Sequence, residues 1–240
     1  MKIILGFVAV VMVVGLFVFI NMDADSDLEI ESIVTTETGV ETEVASSIEG
    51  DTPSVMSVDA NYVVVAEKSE INWSGKKPLI EGYINSGSLA VNKGDVLVSA
   101  GTATGEFEID MNSLTVSETK AKPGKESLLE SHLKGEGWFS VAEFPVATFE
   151  IIEATADVNG ESNTYNVRGA LTMKGQTHEL TFPAEIYLNS DGQLQADATF
   201  EFDRTQWGIT AGSGSFFDNL ADNVVDDMVS LTFSLVAEKK

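Results

Sequence analysis

From residue 194 to residue 203, apolar and polar side chains alternate without a break. Leu194, Ala196, Ala198, Phe200 and Phe202 fall on one side, and Gln195, Asp197, Thr199, Glu201 and Asp203 on the other. A period of two belongs to a strand with one dry and one wet face. The same pattern recurs along residues 61–240. Val229, Leu231, Phe233 and Leu235 alternate with Ser230, Thr232 and Ser234, and Leu180, Phe182, Ala184 and Ile186 with Glu179, Thr181 and Glu185. Tyr165, Val167, Leu171 and Met173 make a further face, as do Ala147, Phe149 and Ile151, and Ala103, Phe107, Ile109 and Met111. Val63 to Val65, Ile71 with Trp73, and Leu89 with Val91 mark earlier strands.

Turn residues separate these runs at Lys93-Gly94, Asn159-Gly160, Lys174-Gly175 and Asp191-Gly192. Such pairs supply the positive φ angles that hairpins need. The single helical pattern is KESLLESHLK (125–134), which puts Leu128, Leu129, His132 and Leu133 on one face inside a long connection, roughly 112–145. About eight sequential antiparallel strands joined mainly by hairpins predict an all-β, eight-stranded, up-and-down barrel with one short helix. A two-layer sandwich shares the pattern. A lipid-facing outer-membrane barrel does not, because the polar face here is too charged for an outer wall in contact with lipid.

An eight-stranded barrel is either just filled by side chains or holds one slender ligand. Strand parity turns Phe107, Ile109, Phe149, Ile151, Val167, Leu171, Leu180, Phe182, Phe200, Phe202, Leu231 and Phe233 inward as the lining. Ala103, Ala147, Gly169, Ala184, Ala196 and Ala198 share that lining. Small residues among large ones leave a channel or let the large ones interlock into a solid core, and parity alone does not choose. His132, His178, Arg204 and Trp207 fall near the barrel rim. An inward Arg204 needs a partner; Asp203, Asp218, Asp226 or Asp227 can supply one, and a ligand headgroup is the alternative. Trp207 and the pair Trp138-Phe139 either close a barrel end or line its mouth. Asp218, Asp222, Asp226 and Asp227 lack EF-hand spacing, and Gly212-Ser213-Gly214 lacks the Lys-Ser/Thr of a phosphate loop.

Charge and composition remove other classes. The chain carries 14 Lys+Arg against 38 Asp+Glu, a net charge of −24, with no cysteine and two histidines. Phosphate backbones repel such a chain, so no nucleic acid is expected. Disulfides, thiolate metal sites and catalytic thiols are excluded. Two histidines make a multi-histidine metal site impossible, the inferred inward faces hold almost no ionisable groups, which argues against an enzyme, and no cofactor is expected.

Two segments precede the strands. After Lys2, residues 3–20 (IILGFVAVVMVVGLFVFI) are uncharged. As a helix they span about 27 Å, close to the hydrocarbon thickness of a bilayer. The run exceeds the usual apolar stretch of a secretory signal, and Ala24 with Met22 two before it makes a poor cleavage site. Residues 1–22 therefore read as an uncleaved anchor, with a cleaved signal as the alternative; either way Lys2 stays cytoplasmic. The expected location is the cytoplasmic membrane, single-pass, with the domain on the extracytoplasmic (periplasmic) side, or the periplasm or exterior if the segment is removed. Residues 23–60 hold eleven acidic residues and no Lys or Arg. That composition cannot bury enough apolar surface to offset its ordering entropy, so it reads as an extended, disordered linker.

Along the domain, several motifs resemble the YceI family, a group of exported lipocalin-like barrels that bind polyisoprenoid or similar long lipids. They are INWSGKK (71–77), GEFEIDMNSLTV (105–116), SHLKGEGWFSVAEFPVATFEI (131–151), VRGALTMKGQTHELTFPAEI (167–186), FDRTQWGI (202–209) and GSFFDNLADNVVDDMVSLTFSLVA (214–237). The resemblance covers about residues 62–237. It implies an elongated apolar tunnel holding an isoprenoid chain, such as a quinone tail or a polyprenyl phosphate. Where relatives often carry a His-x-Gly step after the Gly-Lys-Lys, this chain reads Pro78-Leu79-Ile80, so headgroup contacts through that His are not carried over. The expected role is a non-enzymatic lipid carrier or holder. A packed extracytoplasmic scaffold barrel without ligand is the alternative, and homodimerisation is left open.

Overall fold

A computed structural model describes residues 55–240. The segment read as an anchor, residues 1–22, and nearly all of the acidic linker lie outside the described residues. Among the described residues no helix is long and apolar enough to cross a membrane.

The elements in chain order are β1 (Ala60–Val64), β2 (Glu70–Lys76), β3 (Ile84–Ser99), β4 (Thr102–Asp110), β5 (Glu118–Thr119), α1 (Glu126–Lys134), β6 (Val146–Ala156), β7 (Thr164–Met173), β8 (Gln176–Leu188), β9 (Leu194–Asp203) and β10 (Met228–Lys239). All strand pairings are antiparallel. The sheet runs β2-β3-β4-β6-β7-β8-β9-β10, and β10 returns to β2 through Ser230↔Ser74 to Ser234↔Glu70. The expected closed eight-stranded barrel is therefore formed, and neither long edge is left open.

One stave is built from two pieces. β1 pairs with both β10 and β3, and β2 continues along the same two neighbours. The break between them is a 3-10 turn at Ala66–Lys68. Ser69 repairs it: its hydroxyl donates to the Val65 carbonyl at 2.9 Å, and the Val236 N–H donates to its Oγ at 3.1 Å.

The alternating residues point where parity places them. Tyr165, Val167, Leu171 and Met173 are buried, as are Ala103, Phe107, Ile109 and Met111. Opposite faces meet solvent and pair across strands, as in Thr172–Thr177 (2.7 Å), Thr199–Thr232 (2.9 Å) and Arg168–Glu179 (3.3 Å). The Lys174-Gly175 turn joins β7 to β8, with φ of 53° and 72°.

One expected turn is a bulge instead. Lys93-Gly94 lies inside β3, where the register against β4 shifts between Val91 and Lys93. The extra residue bends the strand, and the glycine is required by crowding: a Cβ at Gly94 would stand 2.6 Å from Cβ of Phe107 and 2.8 Å from the Glu106 carbonyl oxygen. The β3–β4 reversal is made by Ala100-Gly101, with φ of 51° and 83°.

Helix α1 starts one residue later than the sequence pattern suggests. Leu133 is buried and Leu129 packs on the core, while Leu128 and His132 are exposed. The apolar face is thus narrower than the four-residue stripe predicted.

Candidate functional site: a two-chambered bore

The ends of the barrel differ in how the chain turns. At one end the connections are short: 100–101, 157–163 and 189–193. At the other, β4 and β6 are joined by residues 111–145, which carry α1, and β9 and β10 by residues 204–227. These two long segments and the 77–83 loop frame the mouth of a cavity of about 420 Å³. That size falls within the roughly 300–1,000 Å³ of small-molecule sites.

Its walls are mainly apolar. Ile71, Trp73, Leu89, Ile109, Ala147, Leu171, Met173, Phe202, Val229 and Leu231 come from the strands. Met111, Leu114, Leu129, Leu133, Trp138 and Phe139 come from the 111–145 segment. Polar side chains gather at the rim: Lys76, Lys77, Tyr83, Asn85, His132, Arg204, Asn223 and Asp226. Most of them are already engaged. Lys76 pairs with Asp226 at 3.4 Å, and Lys77 donates to Asn223 Oδ1 at 3.2 Å and lies 5.2 Å from the Tyr83 ring centre. Asn85 Oδ1 is buried without a hydrogen-bond partner.

Arg204 is the buried cation of the site, its side chain 2% exposed. Its Nε donates to the Asp226 carbonyl at 3.0 Å, Nη2 to the Val225 carbonyl at 3.3 Å and to Asp227 Oδ1 at 3.4 Å, and Nη1 to the Ile209 carbonyl. Trp138 lies over the guanidinium, 5.1 Å from ring centre to Cζ. Burial pushes its pKa down, while Asp227, Asp203 and Asp226 push it up. Asp227 is the complement. Burial works to raise its pKa, but hydrogen bonds from Ser213 and Ser215 and the Arg204 charge outweigh that and hold it below the ordinary carboxylate value. The arginine thus fastens the end of β9 to the 208–227 loop through four acceptors, which is the structural alternative to a headgroup contact.

Beyond this chamber the bore is closed by phenylalanine. The rings of Phe107, Phe149, Phe182, Phe200 and Phe233 follow one another across it, with centroids 5.4 Å (107–149), 5.8 Å (149–182), 4.1 Å (182–200) and 5.7 Å (182–233) apart. Phe182 and Phe200 are stacked at 2°. Behind them is a second cavity of only about 60 Å³.

The lining inferred from parity is accordingly divided. Ile109, Leu171, Phe202 and Leu231 face the large chamber, together with His132 and Arg204 at its rim. Phe107, Phe149, Ile151, Val167, Phe182 and Phe233 border the small one. Leu180 and Phe200 pack against the core without bordering either. Trp207 is fully buried, donates Nε1–H to the Leu171 carbonyl at 3.0 Å, and meets Phe202 and His178 edge-on at 5.3 and 5.1 Å. It plugs the barrel at that point, and His178, opposite Leu171 in the β7–β8 ladder, packs against its ring and does not border the chamber. Trp138 and Phe139 line the chamber. Leu114 and Leu129 escaped strand parity because they sit on a connection, where period two does not apply. Among the described residues no three His, Asp or Glu side chains converge as a metal site.

Comparison with known proteins agrees with this architecture. A family model described as a YceI-like domain matches residues 62–237. The crystal structure of Burkholderia cenocepacia BcnA is similar at a TM-score of 0.55 and 23% identity, covering 73% of this chain and 99% of that one. A domain from Saccharophagus degradans, described as polyisoprenoid binding and implicated in plant cell wall breakdown, is similar at 0.53 and 18%, covering 76% and 100%. No curated protein sequence matches the chain.

Proposed function

Since the chain belongs to the YceI-like domain family, we propose that its barrel is a non-enzymatic binding site for a lipid with an isoprenoid tail, of quinone or polyprenyl type. The observation that carries this is the apolar chamber of about 420 Å³ open to polar side chains at one end. A tail gains about 0.8 kcal/mol for each methylene it takes out of water, and the rim offers a place for a polar head. The polyisoprenoid-binding description of the Saccharophagus degradans domain supports the same ligand class. A chamber that senses chiefly width and length discriminates loosely among tails. Catalysis is not part of the reading, because the ionisable groups stand at the rim and Arg204, Lys76 and Lys77 are occupied by protein partners.

The scaffold alternative draws on the five-ring wall, which fills part of the bore as a packed core would. The large chamber weighs against it. Residues 1–22 would hold the barrel at the extracytoplasmic face of the cytoplasmic membrane, with the acidic segment as spacer.

The test is organic extraction of the full chain purified in mild detergent, followed by mass spectrometry. A prenyl lipid is expected at near-stoichiometric yield. Absence of any such lipid, together with no uptake of added quinone or polyprenol, overturns the proposal in favour of the scaffold.

A further inference from the structure

From β4 round to β10 a row of phenylalanines separates the two chambers. On β4, Ile109 faces the large chamber and Phe107 the small one; on β6 the pair is Ala147 and Phe149; on β10 it is Leu231 and Phe233. On β7, Leu171 and Val167 face the two chambers and Gly169 lies between them. The wall depends on that glycine. A Cβ at Gly169 would fall 2.2 and 2.6 Å from two ring atoms of Phe149, so the missing side chain is the space the ring occupies. On β8 and β9, Phe182 and Phe200 complete the row in a face-to-face stack. What is left beyond has about 60 Å³, room for a few water-sized molecules and no continuing chain.

We propose that this wall is a tail-length limit: the barrel takes prenyl lipids whose tails end within the mouth chamber and gains nothing from isoprene units beyond it. The inference rests on the lipid-binding reading above and specifies which lipids satisfy it. Each methylene that fits the chamber raises affinity by about fourfold. Once the chamber is full, further units stay outside or force the packed rings apart, which close packing resists. Phe200 and Phe233 are the limiting residues. Both are only partly buried, both pack on Phe182, and their centroids are 6.3 Å apart.

The experiment measures Kd for a graded set of all-trans prenols, from geraniol and farnesol through geranylgeraniol to solanesol. The full chain is used at fixed detergent concentration, and binding is read from tryptophan fluorescence, since Trp73 and Trp138 line the chamber. Affinity is expected to climb with length, break, and then stay level or fall. Phe233→Ala moves the break to longer tails. Phe200→Leu with Phe233→Leu, which removes less volume, moves it in the same direction if the alanine variant does not fold. A steady climb through solanesol in the native chain overturns the length limit while leaving lipid binding intact. So does an unmoved break in a folded wall variant. No binding of any prenol overturns the lipid reading itself.

Discussion

The two halves of this barrel are made from the same kinds of strand and differ in what closes them. In the far half, tight reversals such as Ala100-Gly101 bring neighbouring strands together directly, and the inward residues include a row of phenylalanines in mutual contact. In the mouth half, two of the connections, 111–145 and 204–227, are long, their apolar residues fold over the opening, and a chamber of about 420 Å³ remains. The lesson is that a bore is not emptied by small lining residues alone. Ala147 does border the large chamber, but Ala103, Ala184 and Ala196 border the small one, and Gly169 serves to seat a phenylalanine ring. The large chamber exists because the mouth-side connections hold their apolar groups at its perimeter.

The contrast predicts unequal costs for cutting into the two halves. Phe182→Ala removes a ring that contacts three others and should cost about 3–5 kcal/mol. Leu231→Ala enlarges a void that already exists. Leu231 lacks partner atoms on the chamber side, so the change should fall at the low end for such substitutions, about 2 kcal/mol. Urea unfolding of both variants measures the difference. Equal costs would mean that the mouth half is as well packed as the far half.

The halves are also fastened differently. Backbone ladders and short turns hold the far end, whereas Arg204 holds the 208–227 loop at the mouth by reaching Ile209, Val225, Asp226 and Asp227. Arg204→Ala leaves those acceptors short of a donor and the Asp227 carboxylate without its cation, and should cost on the order of 3 kcal/mol. Lysine cannot replace the fork-shaped group, so Arg204→Lys should recover little. Hydrogen exchange should quicken first across 208–227 and leave β6 to β8 unchanged. Uniform quickening of the whole barrel would show that the arginine supports the far half as well.

Much of the far half was legible in the sequence and much of the mouth was not. Strand parity from 146 to 237 places Phe149, Phe182 and Phe233 inside, because a side chain's face is fixed by backbone pleat. Parity says nothing about whether inward rings from different strands meet at one level. That depends on register, and register shifts at the bulges near Asn92 and Ile152. Lys93-Gly94 looks like a turn and is one of these bulges, since glycine serves close approach as readily as reversal. Of the mouth residues, Leu114 lies on a connection without period, Leu129 was legible only as part of a helix face and Trp138 only as either an end plug or a mouth residue; the folded chain brings all three to the chamber. Arg204 was legible as an inward cation in need of a carboxylate, but not as a residue that also binds three carbonyls.

The smallest expected effect sharpens the account of the mouth. The Asp227 carboxyl is held below its ordinary pKa in the folded chain, by Ser213, Ser215 and Arg204 acting against the opposing effect of burial. A group whose folded pKa is depressed contributes stability that is fully present above its unfolded value of about 3.9 and is lost as pH falls through the lower folded value. The native chain should therefore lose more stability between pH 6 and pH 3 than Asp227→Asn, which cannot take up that proton, although the variant starts lower at pH 6 for want of a partner to Arg204. Unfolding midpoints in urea across that range measure the slopes. Parallel slopes would mean that the carboxylate titrates alike folded and unfolded, and that Arg204 is held by its three carbonyls and the Trp138 ring rather than by the ion pair. The mouth would then be fastened by geometry alone, as the far end is.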